Sequence, residues 1–290
     1  MNTVVCVKLV PAINIALLNP YTNSIDDDDL VYIVNPYDAA AIEQAVWIKE
    51  SIGVGQVTLV SMAPPQTKRL LHHCLAIGAD ESMLLWDTGF DASDSYATAK
   101  ILAKAIVALQ YDLVLCGKEA IDDEAAQVGA VLAEILGIPW VSRVGEIQTT
   151  GEHDRIKVVR KLEKGKRELC EVNLPALLSV DIEPGEARYP SLPSLLAVLR
   201  KRIQEYDLKA LGLASRDVGV LGSKVKVISI SPAKLRVKKV FTPDSALPPE
   251  ERVRLLMTGG VTKKGGDFLE GDPKSIASTI VQFLSKENLL

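Results

Sequence analysis

The chain has 290 residues, 48% of them hydrophobic and 24% charged, enough apolar material for a substantial core in one large domain or two small ones. Its 33 basic and 37 acidic residues give a formal charge of −4 and are mixed along the sequence, which excludes the clustered positive field that a nucleic-acid partner requires. Apolar runs such as residues 4–9 are far shorter than the roughly 20 residues of a membrane-spanning helix, so membrane insertion is not expected.

Met1 leads straight into the strand-like VVCVKLV, without a basic region, an apolar signal core or a small-residue cleavage site, so secretion is not expected. Cys6, Cys74, Cys116 and Cys170 form no CxxC pair, which fits reduced thiols and a cytoplasmic location. The acidic run at 26–29 lacks the spaced ligands and glycine of a calcium loop and reads as a solvated loop. Helical period comes next at 39–52, then a strand in QVTLVSM, a helix at 68–77, a strand in ESMLLW, a helix at 95–109 and a strand in DLVLCG. A further helix starts near Glu124, with Val128, Val131, Leu132, Ile135 and Leu136 as its apolar stripe and Gly137 and Pro139 as its stop. This alternation predicts an α/β fold over about the first 140 residues, a Rossmann-like, doubly wound and mostly parallel sheet.

Beyond Pro139 the pattern changes. RIKVVRKL, a polar turn at 164–166 and RELCEV predict an added β-hairpin at about 155–173, and the apolar LPALLSVDI returns to the main sheet. Three prolines and a glycine in 183–193 predict an irregular exposed loop, followed by a basic helix at 195–204. Later come a strand at 224–230, the glycine-rich TGGVTKKGG at 258–266 and an amphipathic helix at 273–285. Residues 1–205 are thus read as the α/β domain, and 206–290 as an extended C-terminal tail with too few core positions to fold alone, which should pack on a partner.

The segment DLVLCGKEAIDDEAAQVG places a strand end before a helix start, where free amides favour an anion. Asp122 and Asp123 bring negative charge to the same point and can act simply as caps, so both readings stay open. NPYDAAAIEQA gives a second strand end, where Pro36 disfavours helical geometry at Asn35 and Asp38 can cap the helix that follows. SMAPP gives a third, with Met62 after the strand and two prolines setting an open turn. Three such turns on one sheet edge make a shared pocket. His72 and His73 are adjacent, about 100° apart on a helix, which places them badly for one ion. The glycines at 259, 260, 265 and 266 fit neither GxGxxG nor a phosphate loop, and no GxSxG elbow, HExxH helix or carboxylate pair supports a self-contained hydrolase.

The order and wording of these segments resemble the β subunit of electron transfer flavoproteins (ETFs) over roughly residues 3–230: VCVKLVP, NPYDAAAIEQAVWIKE, AIGAD, GKEAIDDEAAQVG, and the block from LPALLSVDI to RYPSLPSLL. The family's signature block corresponds to 158–179, where Lys164 stands in place of a usual glycine or acid and Cys170 in place of a usual aliphatic residue. The resemblance implies a heterodimer with a larger α subunit that holds most of an FAD, while this subunit binds AMP. Carried over by motif, the adenine nucleotide meets Cys6, Asn35, Pro36, Asp38 and Met62. It also meets the segment Gly117, Lys118, Glu119, Ala120, Ile121, Asp122, Asp123, Glu124, Ala125, Ala126, Gln127, Val128 and Gly129.

Tyr37 takes the place of an aromatic near the α subunit's flavin, and Leu192 that of the leucine, in a loop at about 184–194, that docks on flavoprotein dehydrogenases such as acyl-CoA dehydrogenases. An ETF-quinone oxidoreductase is the implied downstream acceptor. Some family members carry a second FAD in place of AMP and use NADH for electron bifurcation, and NPYD and IDDEAAQVG do not decide between the two. A universal-stress-type nucleotide-binding module shares the fold, but the hairpin and the RYPSLPS loop argue against it. An ATP-dependent adenylating enzyme would need a glycine-rich pyrophosphate loop after the first strand, and VKLVPAI has no glycine there.

Overall fold

In the computed structural model, the described residues are 1–12, 31–149, 154–182, 187–228, 242–257, 269 and 271–286. In chain order the strands and helices are β1 (Thr3–Cys6), β2 (Leu9–Pro11), β3 (Tyr32–Val34), α1 (Pro36–Ile52), β4 (Val57–Met62), α2 (Lys68–Ile77), β5 (Glu81–Leu85), α3 (Ser95–Val107), β6 (Leu113–Gly117) and α4 (Val128–Leu136). They continue with β7 (Trp140–Gln148), β8 (Arg155–Lys161), β9 (Arg167–Asn173), β10 (Ala176–Val180), α5 (Leu192–Val198), β11 (Gln204–Tyr206), α6 (Gly219–Gly222), α7 (Pro249–Met257) and α8 (Pro273–Lys286). The chain divides into two compact units, Met1–Pro232 and Ala233–Leu290.

The first unit is built on a nine-stranded sheet in the order β11-β5-β4-β1-β6-β10-β7-β8-β9. Every pairing from β11 to β7 is parallel, and β8 and β9 add an antiparallel hairpin at one edge. β1 and β10 are buried along their whole length, which is why their sequences read as continuous apolar runs rather than alternating ones. Alternate residues still serve opposite faces: Val5, Leu59 and Leu115 pack on the side of α1 and α2, and Val4, Cys6 and Cys116 on the side of α3 and α4. The doubly wound α/β expectation therefore holds, and the hairpin forms where the sequence places it.

LPALLSVDI returns to the main sheet as expected, with β10 between β6 and β7 and paired with both. Three local expectations are corrected. The basic helix at 195–204 is instead the shorter α5 followed by β11. Ser191 caps α5 by accepting from the Ser194 amide, and buried Ile203 draws the chain into the sheet beside Met83 and Leu85. The helix expected near Glu124 begins at Val128, because Glu124 and Ala126 take φ of 48° and 53°, outside the helical region. No strand forms over 224–228: the amides of Lys224 and Val225 donate to Asp94 Oδ2 at 2.6 and 2.8 Å, a side chain taking the place of a neighbouring strand. The rest of that expected strand, the acidic run at 26–29 and the glycine-rich 258–266 lie outside the described residues. A two-stranded antiparallel ribbon of β2 and β3, which the sequence pattern did not suggest, runs directly into α1.

Candidate functional site

The carboxyl ends of β1, β6 and β10 meet the start of α1, and the polar groups there bond across elements. Pro36 occupies the first turn of α1, where its missing N–H costs nothing, and Asn35 before it sits at φ −55°, ψ 126°, as an X-Pro step favours. Asn35, only 1% exposed, does not cap its own helix; its Nδ2 donates to the Glu119 carbonyl at 2.9 Å and its Oδ1 accepts from the Ile121 amide at 3.3 Å. Asp38, 4% exposed, also does not act as the expected cap. One carboxylate oxygen accepts from the Gly117 amide at 2.7 Å and the other from the Lys8 amide at 2.8 Å, tying β1, α1 and β6 together. Burial pushes its carboxyl up to about 6, against the pull of those two amides.

Gly117 is dictated by this closeness, since a Cβ there would lie 2.6 Å from both Asp38 Oδ1 and Tyr37 Cβ. At the far end of the segment, a Cβ on Gly129 would lie 2.7 Å from Ser179 Oγ and 2.9 Å from Cys116 Sγ, so α4 starts in direct contact with β6 and β10. Ser179 Oγ is held in turn by the Trp140 indole N–H at 2.9 Å and contacts Cys116 Sγ at 3.4 Å.

Asp122 and Asp123 are not caps of α4 either. No side chain caps that helix; its N-cap residue is Gln127, and Lys8 Nζ reaches Asp122 at 2.8 Å and Asp123 at 3.1 Å. Partial burial pulls the Lys8 ammonium pKa down, but the two carboxylates outweigh it and leave the group above its ordinary value. Lys8 offsets one of the two negative charges that argued against an anion, while the first amides of α4 keep their donors. Over the same edge, Lys118 Nζ stands 4.9 Å from the Tyr37 ring centroid, 3.2 Å from Glu119 and 3.6 Å from Asp181.

The structure therefore brings Asn35, Pro36, Tyr37, Asp38 and Gly117 through Asp123 into one bonded cluster. Cys6 and Met62 join it through the apolar core on the α3 and α4 side, with Cys116 and Val128. Burial raises the Cys6 thiol and takes Cys116 to about 12, so neither is a thiolate nucleophile at neutral pH. Leu192 is the first residue of α5, 68% exposed, rather than part of a loop. Two participants were missed in the sequence, Lys8 and Ser179. A lysine inside the buried run VVCVKLV was the available signal for the first; nothing local marked the second. His72 Nε2 lies 3.1 Å from the Lys201 carbonyl, and the described residues hold no group of three His, Cys, Asp or Glu side chains placed for a metal. Among the described residues, no helix is long and apolar enough to cross a membrane.

The sheet with helices on both faces, and polar groups gathered where strands end and helices begin, defines an α/β protein of the doubly wound, Rossmann-like class. Residues 22–191 match the family model described as electron transfer flavoprotein domain. The chain is 40% identical over 244 residues to an electron transfer flavoprotein subunit beta from Thermoanaerobacterium thermosaccharolyticum, covering 83% of this chain and 92% of that protein. It is 36% identical to the caffeyl-CoA reductase-Etf complex subunit CarD of Acetobacterium woodii, covering 80% and 88%, and 32% identical to Protein FixA of Azotobacter vinelandii, covering 96% and 92%. The chain belongs to the electron transfer flavoprotein family, among its β subunits.

Proposed function

We propose that the chain works in the cytoplasm as the β subunit of a heterodimeric ETF, with an α subunit that holds most of an FAD. It carries electrons from a flavoprotein dehydrogenase, of which acyl-CoA dehydrogenases are one kind, to a downstream acceptor such as an ETF-quinone oxidoreductase. AMP binds at the strand ends. The observation that carries this reading is the cluster in which Asn35, Asp38 and Lys8 fix the 117–123 segment ahead of the uncapped start of α4. Asn35 and Asp38 fix the backbone of this edge beside the nucleotide, Lys8 offsets one of the two aspartate charges, and the α4 amides are left to receive a phosphate. When bound, flavin supplies the electron-carrying ring; this chain supplies Tyr37, whose ring is steadied by Lys118. Leu192 offers exposed apolar surface on a segment stiffened by Pro190 and Pro193, a cheap anchor for a transient contact. The tail contributes to the α-subunit contact, a reading supported by the exposure of Val253, Leu256 and Met257 on α7 and of Ile280, Val281 and Phe283 on α8.

The test is the cofactor content of the complex. Co-expression with an α subunit, purification and denaturation should release one FAD and one AMP per heterodimer. Two FAD and no AMP would identify the bifurcating form, with NADH as donor, and release of no nucleotide would refute the pocket.

A further inference from the structure

Residues 187–191, which lead into α5, are fastened to α1 by one side chain. The Arg188 amide donates to Glu43 Oε2 at 3.1 Å, and its Nε donates to both Glu43 oxygens at 2.9 and 3.1 Å. Its two terminal nitrogens donate to the two Glu50 oxygens at 2.6 and 2.9 Å. Glu43 and Glu50 lie two helical turns apart on α1, so they share a face, and the planar guanidinium spans both. Glu50 is held below its ordinary pKa because Arg188 donates to it, and Arg188 is held above its own by Glu50 and Glu43. Single exposed ion pairs fix little, whereas a fork that engages two carboxylates of one rigid helix, joined by the arginine's own backbone amide, fixes direction as well as distance.

Beyond Arg188 the chain presents exposed apolar side chains. Tyr189 is 85% exposed, and Leu192, Leu196 and Leu199 come next at helical spacing, 58–68% exposed. The same α1 carries Tyr37 and Asp38 in its first turn. Among the described residues, the side-chain hydrogen bonds of 187–190 are those of Arg188.

We infer that Arg188 is a positioning residue: clamped on Glu43 and Glu50, it sets the apolar surface of Tyr189, Leu192, Leu196 and Leu199 at a fixed offset from the Tyr37 end of α1, so a docked flavoprotein is held in one register. This rests on the docking role proposed above. The clamp removes the freedom of the segment before the partner arrives, and its loss returns that ordering cost to the encounter.

The experiment uses the intact heterodimer and follows its reduction by a dehydrogenase at increasing heterodimer concentration. Arg188→Ala is expected to raise the half-saturating concentration about tenfold, equal to ~1.4 kcal/mol, while kcat changes less than about twofold. Flavin content and melting temperature stay at wild-type values. Glu43→Gln combined with Glu50→Gln should do the same, and Arg188→Lys, which keeps the charge but loses the fork, should fall between. If Leu192→Ala raises the half-saturating concentration and Arg188→Ala does not, the positioning role is refuted and the docking role stands. If neither variant moves it, both fall. Loss of flavin or of melting temperature in Arg188→Ala would make the residue a structural one and overturn the inference.

Discussion

Asp38 shows how a residue can be read correctly by place and wrongly by task. Its position at a helix start suggests a cap, yet its oxygens go to the amides of Lys8 and Gly117, two segments remote in sequence that only the sheet brings together. Such a role leaves no local trace, and Ser179 is hidden for the same reason. The folded protein holds the Asp38 proton more tightly than an ordinary carboxyl does, so the stability it adds is complete below about pH 3.8, falls as pH rises and is gone above about 6. Comparing unfolding free energies of the wild type and Asp38→Asn from pH 4 to 7 should therefore show the wild type losing roughly 2 kcal/mol relative to the variant. A difference that stays constant with pH would mean that Asp38 does not titrate in the fold.

Among elements, those with a strong period were legible. α1, α2 and α3 and strands β1, β4, β5 and β6 fall close to where apolar period places them, because burial on one or both faces writes itself into the sequence. Elements decided by a distant partner were not: β11 exists because β5 offers an edge, and the β2–β3 ribbon because the chain doubles back. Lys8, just past β1, is the element-level control on the site, since its ammonium answers the charge on the turn before α4. Lys8→Met should change stability by only about 0.5–1 kcal/mol, because the ion pairs are partly exposed, while AMP retained through purification falls severalfold. Thermal melting and nucleotide release assays separate the two effects, and retention of wild-type AMP would remove Lys8 from the site.

For the whole molecule, the fold class followed from alternation of strand and helix, but the sheet's order did not. Strand order depends on pairings between segments far apart in sequence, and neither composition nor period encodes those. The insertion of β10 between β6 and β7 means that a chain ending before it leaves each of these strands with one edge unpaired. A fragment of residues 1–150 is therefore expected to show broad, weakly cooperative thermal unfolding or to aggregate, whereas residues 1–232 should melt in one sharp transition; circular dichroism and size-exclusion chromatography distinguish them.

The late arrival of β10 also orders events on the ribosome. Ser179 and Asp181 near its end complete the contacts of Gly129 and Lys118, so the strand-end cluster cannot be finished until about 180 residues have left the exit tunnel. The facing edges of β6 and β7 stay open until then, and the growing chain depends on β10 to close them.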